Sequence, residues 1–214
     1  MGMHAYFKSL TDLEKIYRCP GKFKFEEHSV AEHSFKVTKI AQFLGTVEEQ
    51  EGDHVDWKVL YEKAINHDYT EIFIGDIKTP VKYADPNLRE NIATVEESMT
   101  LHFIEKEIPE RFQEEYKRRF EEGKDETLEG KILSVADKID LLYESFGEIQ
   151  KGNPEDLFTE IYRESLSTIL HFKELSCVKY FLEEILPELL RGQFTNQEKL
   201  QTISDEMINY FSDS

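Results

Sequence analysis

Four residues of two types, at three places in this chain, are suited to hold one divalent cation. Ala64-Ile65-Asn66-His67-Asp68-Tyr69-Thr70-Glu71 puts an imidazole beside a carboxylate at the end of an apolar helical run, with a second carboxylate three residues on. A His next to an Asp is a mixed nitrogen and oxygen set for a metal of intermediate softness. Alone the pair carries little, because such dipeptides arise by chance. His33 falls within an apolar stripe through Val30, Val37, Ile40, Ala41 and Leu44, and Asp137 sits inside the apolar run Ile132 to Leu142. A polar side chain in such a place needs a partner. Each taken singly has a plainer reading, His33 as a hydrogen-bonded core histidine and Asp137 as a buried partner of Lys138 or an arginine. Together, two imidazoles and two carboxylates from three helices supply four ligands and leave positions open for water and a substrate oxygen, as a catalytic site requires.

The elements that must position them read as helices throughout. Apolar residues at Tyr6, Phe7, Leu10, Leu13, Ile16 and Tyr17 predict a helix near 4 to 17, ended by Cys19-Pro20-Gly21, with Arg18 at the junction. Ser29 and Glu32 form a capping box that opens the His33 helix. Gly45 to Asp56 reads as a polar, exposed connection, and a helix from about Asp56 to Asp68 follows, led by Trp57, Leu60, Tyr61 and Ala64. Adjacent helical residues point about 100° apart, so His67 and Asp68 reach one ion only from a helix end. Ile72 to Pro80 is turn-rich, and Asp85-Pro86 opens a helix to Ile108. Pro109 starts another, ended by Gly123. Helices over about 127–149, 154–171, 174–190 and beyond Asn196 complete the chain. With no run of period-2 alternation and no linker, the expectation is a single all-α domain over residues 1–214.

The bulk properties exclude several classes. The 26 Lys and Arg against 44 Asp and Glu give a net charge of −18, which repels a phosphate backbone or an anionic membrane. A small phosphorylated substrate needs only a local cluster of cations. Cys19 and Cys177 make no disulfide framework, no signal peptide or membrane-spanning stretch is visible, and a cytoplasmic protein is expected. His4, His54, His102 and His171 lack surroundings that would mark them as ligands.

The stretches Val30-Ala31-Glu32-His33-Ser34, His67-Asp68-Tyr69-Thr70-Glu71, Gly75-Asp76-Ile77-Lys78-Thr79-Pro80-Val81-Lys82-Tyr83 and Ala136-Asp137-Lys138 resemble the HD-domain phosphohydrolases, and among these the bacterial 5′-deoxynucleotidases. The resemblance covers about residues 5 to 150. It implies a single HD-domain helical bundle with additional C-terminal helices, a homodimer, and release of phosphate from deoxyribonucleoside 5′-monophosphates. It implies that His33, His67, Asp68 and Asp137 bind one divalent ion, with cobalt, manganese or copper usual in the family. Arg18, Cys19, Asp76, Ile77, Lys78 and Thr79 would line the nucleotide pocket, with His33 and Asp68 also touching substrate. Arg18 would grip the phosphate, and Glu71 or Asp76 would manage protons. Cys19 stands where relatives have Trp and Lys78 where they have Pro, which bears on the choice between deoxyribose and ribose. Another HD-type phosphohydrolase, such as a nucleotide phosphodiesterase or pyrophosphohydrolase, shares the metal logic. A non-catalytic nucleotide-binding module is the alternative from outside enzymology.

Overall fold

The computed structural model describes residues 2–77, 85–121 and 123–212. Helices account for all its regular structure: α1 His4–Leu13, α2 Val30–Glu51, α3 Trp57–Asn66, α4 Glu71–Ile74, α5 Pro86–Glu107, α6 Glu110–Glu121, α7 Leu128–Gln150, α8 Asp156–Leu170, α9 Ser176–Tyr180, α10 Leu186–Leu189 and α11 Gln197–Ser212, with a π-helical turn at Phe181–Ile185. No strand occurs among the described residues, only an isolated antiparallel bridge between Tyr17 and Ser29. The all-α expectation holds.

Several predicted boundaries moved, among them the start of the turn-rich stretch, where Ile72 to Ile74 belong to α4. The first helix stops at Leu13 rather than near Tyr17. Residues 16 to 18 instead pair with the start of α2: the Arg18 amide donates to the His28 carbonyl at 2.9 Å and the Val30 amide to the Ile16 carbonyl at 2.9 Å. The apolar spacing through Ile16 and Tyr17 is therefore not a helical face, and Arg18 lies at a bend directly after the Tyr17 bridge. The predicted break at Gly45 is also absent, since α2 runs on to Glu51. Gly45 is there for close approach: a Cβ on it would stand 3.0 Å from both Leu60 and Trp57 side chains. The glutamates beyond it suggested solvent, yet Val47 and Glu48 are buried.

The helix starts follow from local chemistry. The Ser29 amide donates to the Glu32 carboxylate at 2.8 Å and the Glu32 amide to the Ser29 hydroxyl at 3.2 Å, completing the capping box. Asp85 caps α5 by accepting from the Asn87 and Leu88 amides, with Pro86 in the first turn. Thr127 accepts from the Gly130 amide and caps α7.

By the density of its contacts the chain divides into two compact units. The first comprises 1–22, 27–35 and 62–123. Its core gathers Leu13, Val30 and Tyr69, with Tyr6, Ile16, Ala31, Ile72 and Phe120 packed against them. Tyr69 stacks on Phe120 with ring centroids 4.3 Å apart. The second comprises 23–26, 36–61 and 124–214. There α7 and α8 pack along their length, burying Ile132, Leu133, Val135, Leu142, Phe158 and Tyr162.

Candidate metal centre and phosphate site

Helix α3 ends at Asn66, and the chain then makes a tight turn over residues 67–70 before α4. The amides of Tyr69, Glu71, Ile72 and Phe73 each bond to the carbonyl three residues back, a shorter and weaker pattern than the α-helical one. Because the turn departs from the helix, His67 and Asp68 both face the side where α2 carries His33.

Three side-chain atoms converge there. His33 Nε2 lies 3.3 Å from Asp68 Oδ2, His67 Nε2 lies 3.4 Å from the same oxygen, and the two Nε2 atoms stand 3.3 Å apart. His33 is fully buried, and the side chain of His67 nearly so. His67 Nδ1 sits 2.8 Å from the Ala64 carbonyl. A carbonyl only accepts, so Nδ1 bears the proton and Nε2 presents its lone pair to the other two atoms. Two imidazole nitrogens and a carboxylate oxygen at these mutual distances form a donor set that a cation between them can occupy. Ligands placed tetrahedrally around an ion at about 2.1 Å stand about 3.4 Å from one another. The observed triangle, every edge 3.3–3.4 Å, is one face of that arrangement. The donor set therefore fits a divalent metal.

Arg18 supplies the local positive charge. It is buried, and its Nη1 stands 3.5 Å from Asp68 Oδ2. Its neighbour Cys19 has φ +51°, a left-handed backbone uncommon for a side chain with Cβ. In that conformation the Cys19 amide donates to Asp76 Oδ2 at 2.7 Å. Asp76 thus ties the residues after α4 to the Arg18-Cys19 segment, and its carboxylate is engaged with a backbone amide.

Glu71 differs. Its Oε2 is buried and has no hydrogen-bond partner among the described residues. Burial, then the neighbouring Asp68 and Asp76 carboxylates, push its pKa up to about 8, while Arg18 and His33 pull the other way. A carboxyl group in that state can hold or release a proton near neutral pH.

Of the residues singled out in the sequence, the first unit thus groups His33, His67, Asp68, Arg18 and Glu71, and links Cys19 to Asp76. Asp137 belongs to the second unit, on α7, where its buried carboxylate accepts from Lys124 Nζ at 2.5 Å with Lys138 Nζ at 3.5 Å. Ile77 ends the described part of its segment, while Lys78 and Thr79 lie outside the described residues. Two supporting residues went unnoticed in the sequence. Ser9 on α1 shares a 2.6 Å hydrogen bond with the Tyr69 hydroxyl, and Glu96 on α5 accepts from the Thr70 hydroxyl. Neither carried a signal, since each meets its partner across 60 or 26 residues of chain.

The profile of the 5′-deoxynucleotidase YfbR-like family matches residues 5–189. The chain belongs to that family. Among its curated relatives, a 5′-deoxynucleotidase of Pasteurella multocida is 26% identical over 189 residues, which are 87% of this chain and 94% of the relative. A crystal structure of an HD-domain phosphohydrolase from Listeria innocua is 62% identical and superposes with a TM-score of 0.93, covering 98% of this chain and all of that one. An HD phosphohydrolase of cyanophage S-2L, solved with dA and one catalytic Zn2+ ion, shares the fold at 15% identity and a TM-score of 0.54, with 97% and 96% of the chains covered. Family and fold together make the chain an HD-domain phosphohydrolase directed at nucleotides, and its His33-His67-Asp68 cluster is compatible with metal dependence.

Proposed function

We propose that this HD-domain phosphohydrolase releases phosphate from nucleoside 5′-monophosphates, deoxyribonucleotides among them, using one divalent metal. The observation that carries the reading is the triangle of His33, His67 and Asp68, with the Arg18 guanidinium 3.5 Å from the shared carboxylate oxygen. Asp137 is the fourth ligand in this reading, taken from its place in the family motif. Cobalt, manganese and copper are the metals to try first. When bound, such an ion supplies Lewis acidity, acidifying water and offsetting charge on the phosphate.

The side chains then divide the remaining work. Arg18 is buried and its forked donors match two oxygens of a phosphate, so it holds and orients the phosphoryl group. Glu71, with a buried oxygen that no other group engages among the described residues, is the proton-handling residue, serving the 5′ oxygen as it leaves or the water that attacks. Asp76 has a different part: through the Cys19 amide it fixes the segment that presents Arg18. Cys19 and Ile77 flank the nucleoside side of the pocket in this reading, and the small Cys19 leaves room where relatives have an aromatic ring. The same reading makes the protein a cytoplasmic homodimer, and no described helix is long and apolar enough to cross a membrane.

Chelator-stripped protein assayed against deoxyribo- and ribonucleoside 5′-monophosphates, with cobalt, manganese or copper restored, tests the proposal. Metal-dependent release of inorganic phosphate is the expected result. No release from any of them, or full activity in Asp68→Ala, overturns it.

A further inference from the structure

The metal turn does not hold its own shape. Its amides at residues 69 and 71–73 bond three residues back, so the α-helical ladder that would fix the direction of a side chain is interrupted where His67 and Asp68 sit. Consecutive residues of the turn are instead secured by side chains from separate elements. Tyr69 points away from the ligands, into the core, where it stacks on Phe120 and bonds Ser9 of α1. Thr70 donates its hydroxyl to the Glu96 carboxylate, in the middle of α5. Two attachments are needed because one fixes where the turn lies and the other fixes its rotation about that point. A few degrees of such rotation would move Asp68 Oδ2 relative to the two imidazoles.

On the reading of the site given above, we infer that Glu96 is a positioning residue for the metal centre, acting through Thr70 to orient the backbone that carries His67 and Asp68. The Thr70–Glu96 bond links a hydroxyl to a charged acceptor, the stronger kind of hydrogen bond. Neither residue contributes a ligand atom to the triangle. A cavity of about 360 Å³ opens beside the pair, lined by Thr70, Glu96, Thr100 and Phe120 among others. Substitution at Glu96 therefore meets open space rather than a closely packed core, and the fold tolerates it. Partners that orient metal ligands contribute about 10- to 100-fold to metal affinity.

The test is cobalt affinity by titration calorimetry on chelator-stripped full-length protein, beside the melting temperature of the metal-free form. Thr70→Val and Glu96→Leu are expected to weaken cobalt binding by about 10- to 100-fold while metal-free melting stays close to wild type. Thr70→Ser keeps the hydroxyl and Glu96→Gln keeps an acceptor, so both should retain affinity within about threefold. The double variant Thr70→Val/Glu96→Leu should bind no more weakly than the worse single variant, because both remove one bond. Affinity in Thr70→Val within about twofold of wild type, or single-variant losses that add in full, overturns the inference. A loss in Glu96→Leu matched by an equal loss in Glu96→Gln does so too. Wild type that takes up no cobalt is a separate result, which overturns the metal reading and this inference with it.

Discussion

A buried carboxylate of the second unit and two partly buried carboxylates of the first are treated in opposite ways. In the second unit the α7 residue Glu148 lies buried at the centre of a closed set of donors. The amides of Phe25 and Glu26 reach it at 3.0 Å and the Asn153 side chain at 2.6 Å. Every bond there comes from this chain, and the carboxylate serves as a staple for residues 23–26. In the first unit Asp68 Oδ2 faces two imidazole nitrogens and a guanidinium, while Glu71 Oε2 has no hydrogen-bond partner among the described residues. A carboxylate satisfied by backbone amides stabilises a fold. One that stands among metal-binding imidazoles, or that holds a transferable proton, is available for chemistry.

The largest expected effects separate those two kinds. Asp68→Ala removes the oxygen common to the triangle, so phosphate release should fall to the level of the chelator-stripped protein and added cobalt should not restore it. Metal-free melting should change less than in Glu148→Ala, because His33, His67 and Arg18 stand 3.3–3.5 Å from Asp68 Oδ2 and none of these three contacts is with a backbone amide. Glu148→Ala should do the reverse. It removes the charged acceptor of two backbone amides and of one of the two bonds donated by the Asn153 side chain, at about 1.5–3 kcal/mol for each bond to a charged group, so denaturant unfolding should show a loss of roughly 3 kcal/mol or more. Activity per folded molecule should persist. Equal loss of stability in both variants would erase the distinction.

The same contrast accounts for what could be read in the sequence. The capping box at Ser29 and Glu32, the cap at Asp85 and the proline and glycine stops are local, and they placed the helices. His67, Asp68 and His33 stood out because each is a ligand type lodged in or beside an apolar stripe. What escaped is long-range. The Tyr17–Ser29 pairing that shortened α1 depends on a partner 12 residues away, and periodicity cannot report it. Glu48 looked like a solvated acid in a glutamate-rich run, yet it is buried and accepts from the Cys177 amide at 2.8 Å. Glu71 and Asp76 were indistinguishable as proton carriers until their partners were known. Asp76 has an amide 2.7 Å away, and Glu71 has a buried oxygen with no hydrogen-bond partner among the described residues.

That difference has a pH signature. Burial and two neighbouring carboxylates raise the Glu71 pKa to about 8 in the folded, metal-free protein, while in the unfolded chain it is near the model-peptide value of about 4.3. Between those values the folded state carries a proton that the unfolded state has released, so folding stability contributed by this group falls as pH rises from about 4.3 through about 8 and levels off above. Glu71→Gln cannot ionise. Its metal-free stability, measured by urea unfolding at a series of pH values, should decline less across that window than that of wild type. Parallel curves would mean that Glu71 is solvated and no different from a surface acid. Phosphate release by the metal-loaded Glu71→Gln protein should also fall well below that of Asp76→Asn, whose amide oxygen still accepts from Cys19.

The smallest effect concerns the strand of backbone that presents Arg18. Cys19 holds φ +51°, where a Cβ costs roughly 1–2 kcal/mol relative to ordinary backbone. Glycine relieves that strain but loses more conformational entropy on folding, about 0.5–1 kcal/mol. Cys19→Gly should therefore leave stability within about 1 kcal/mol of wild type, on the favourable side, with the amide still bonded to Asp76. Bulk returned at this position has a different consequence. Cys19→Trp restores the aromatic ring of the relatives on the same left-handed backbone, and the ratio of kcat/KM for deoxyribo- over ribonucleoside monophosphates should shift while cobalt affinity does not. An unchanged ratio would place the sugar away from Cys19, whereas a loss of cobalt affinity would show that the segment carrying Arg18 helps shape the metal triangle as well as the phosphate grip.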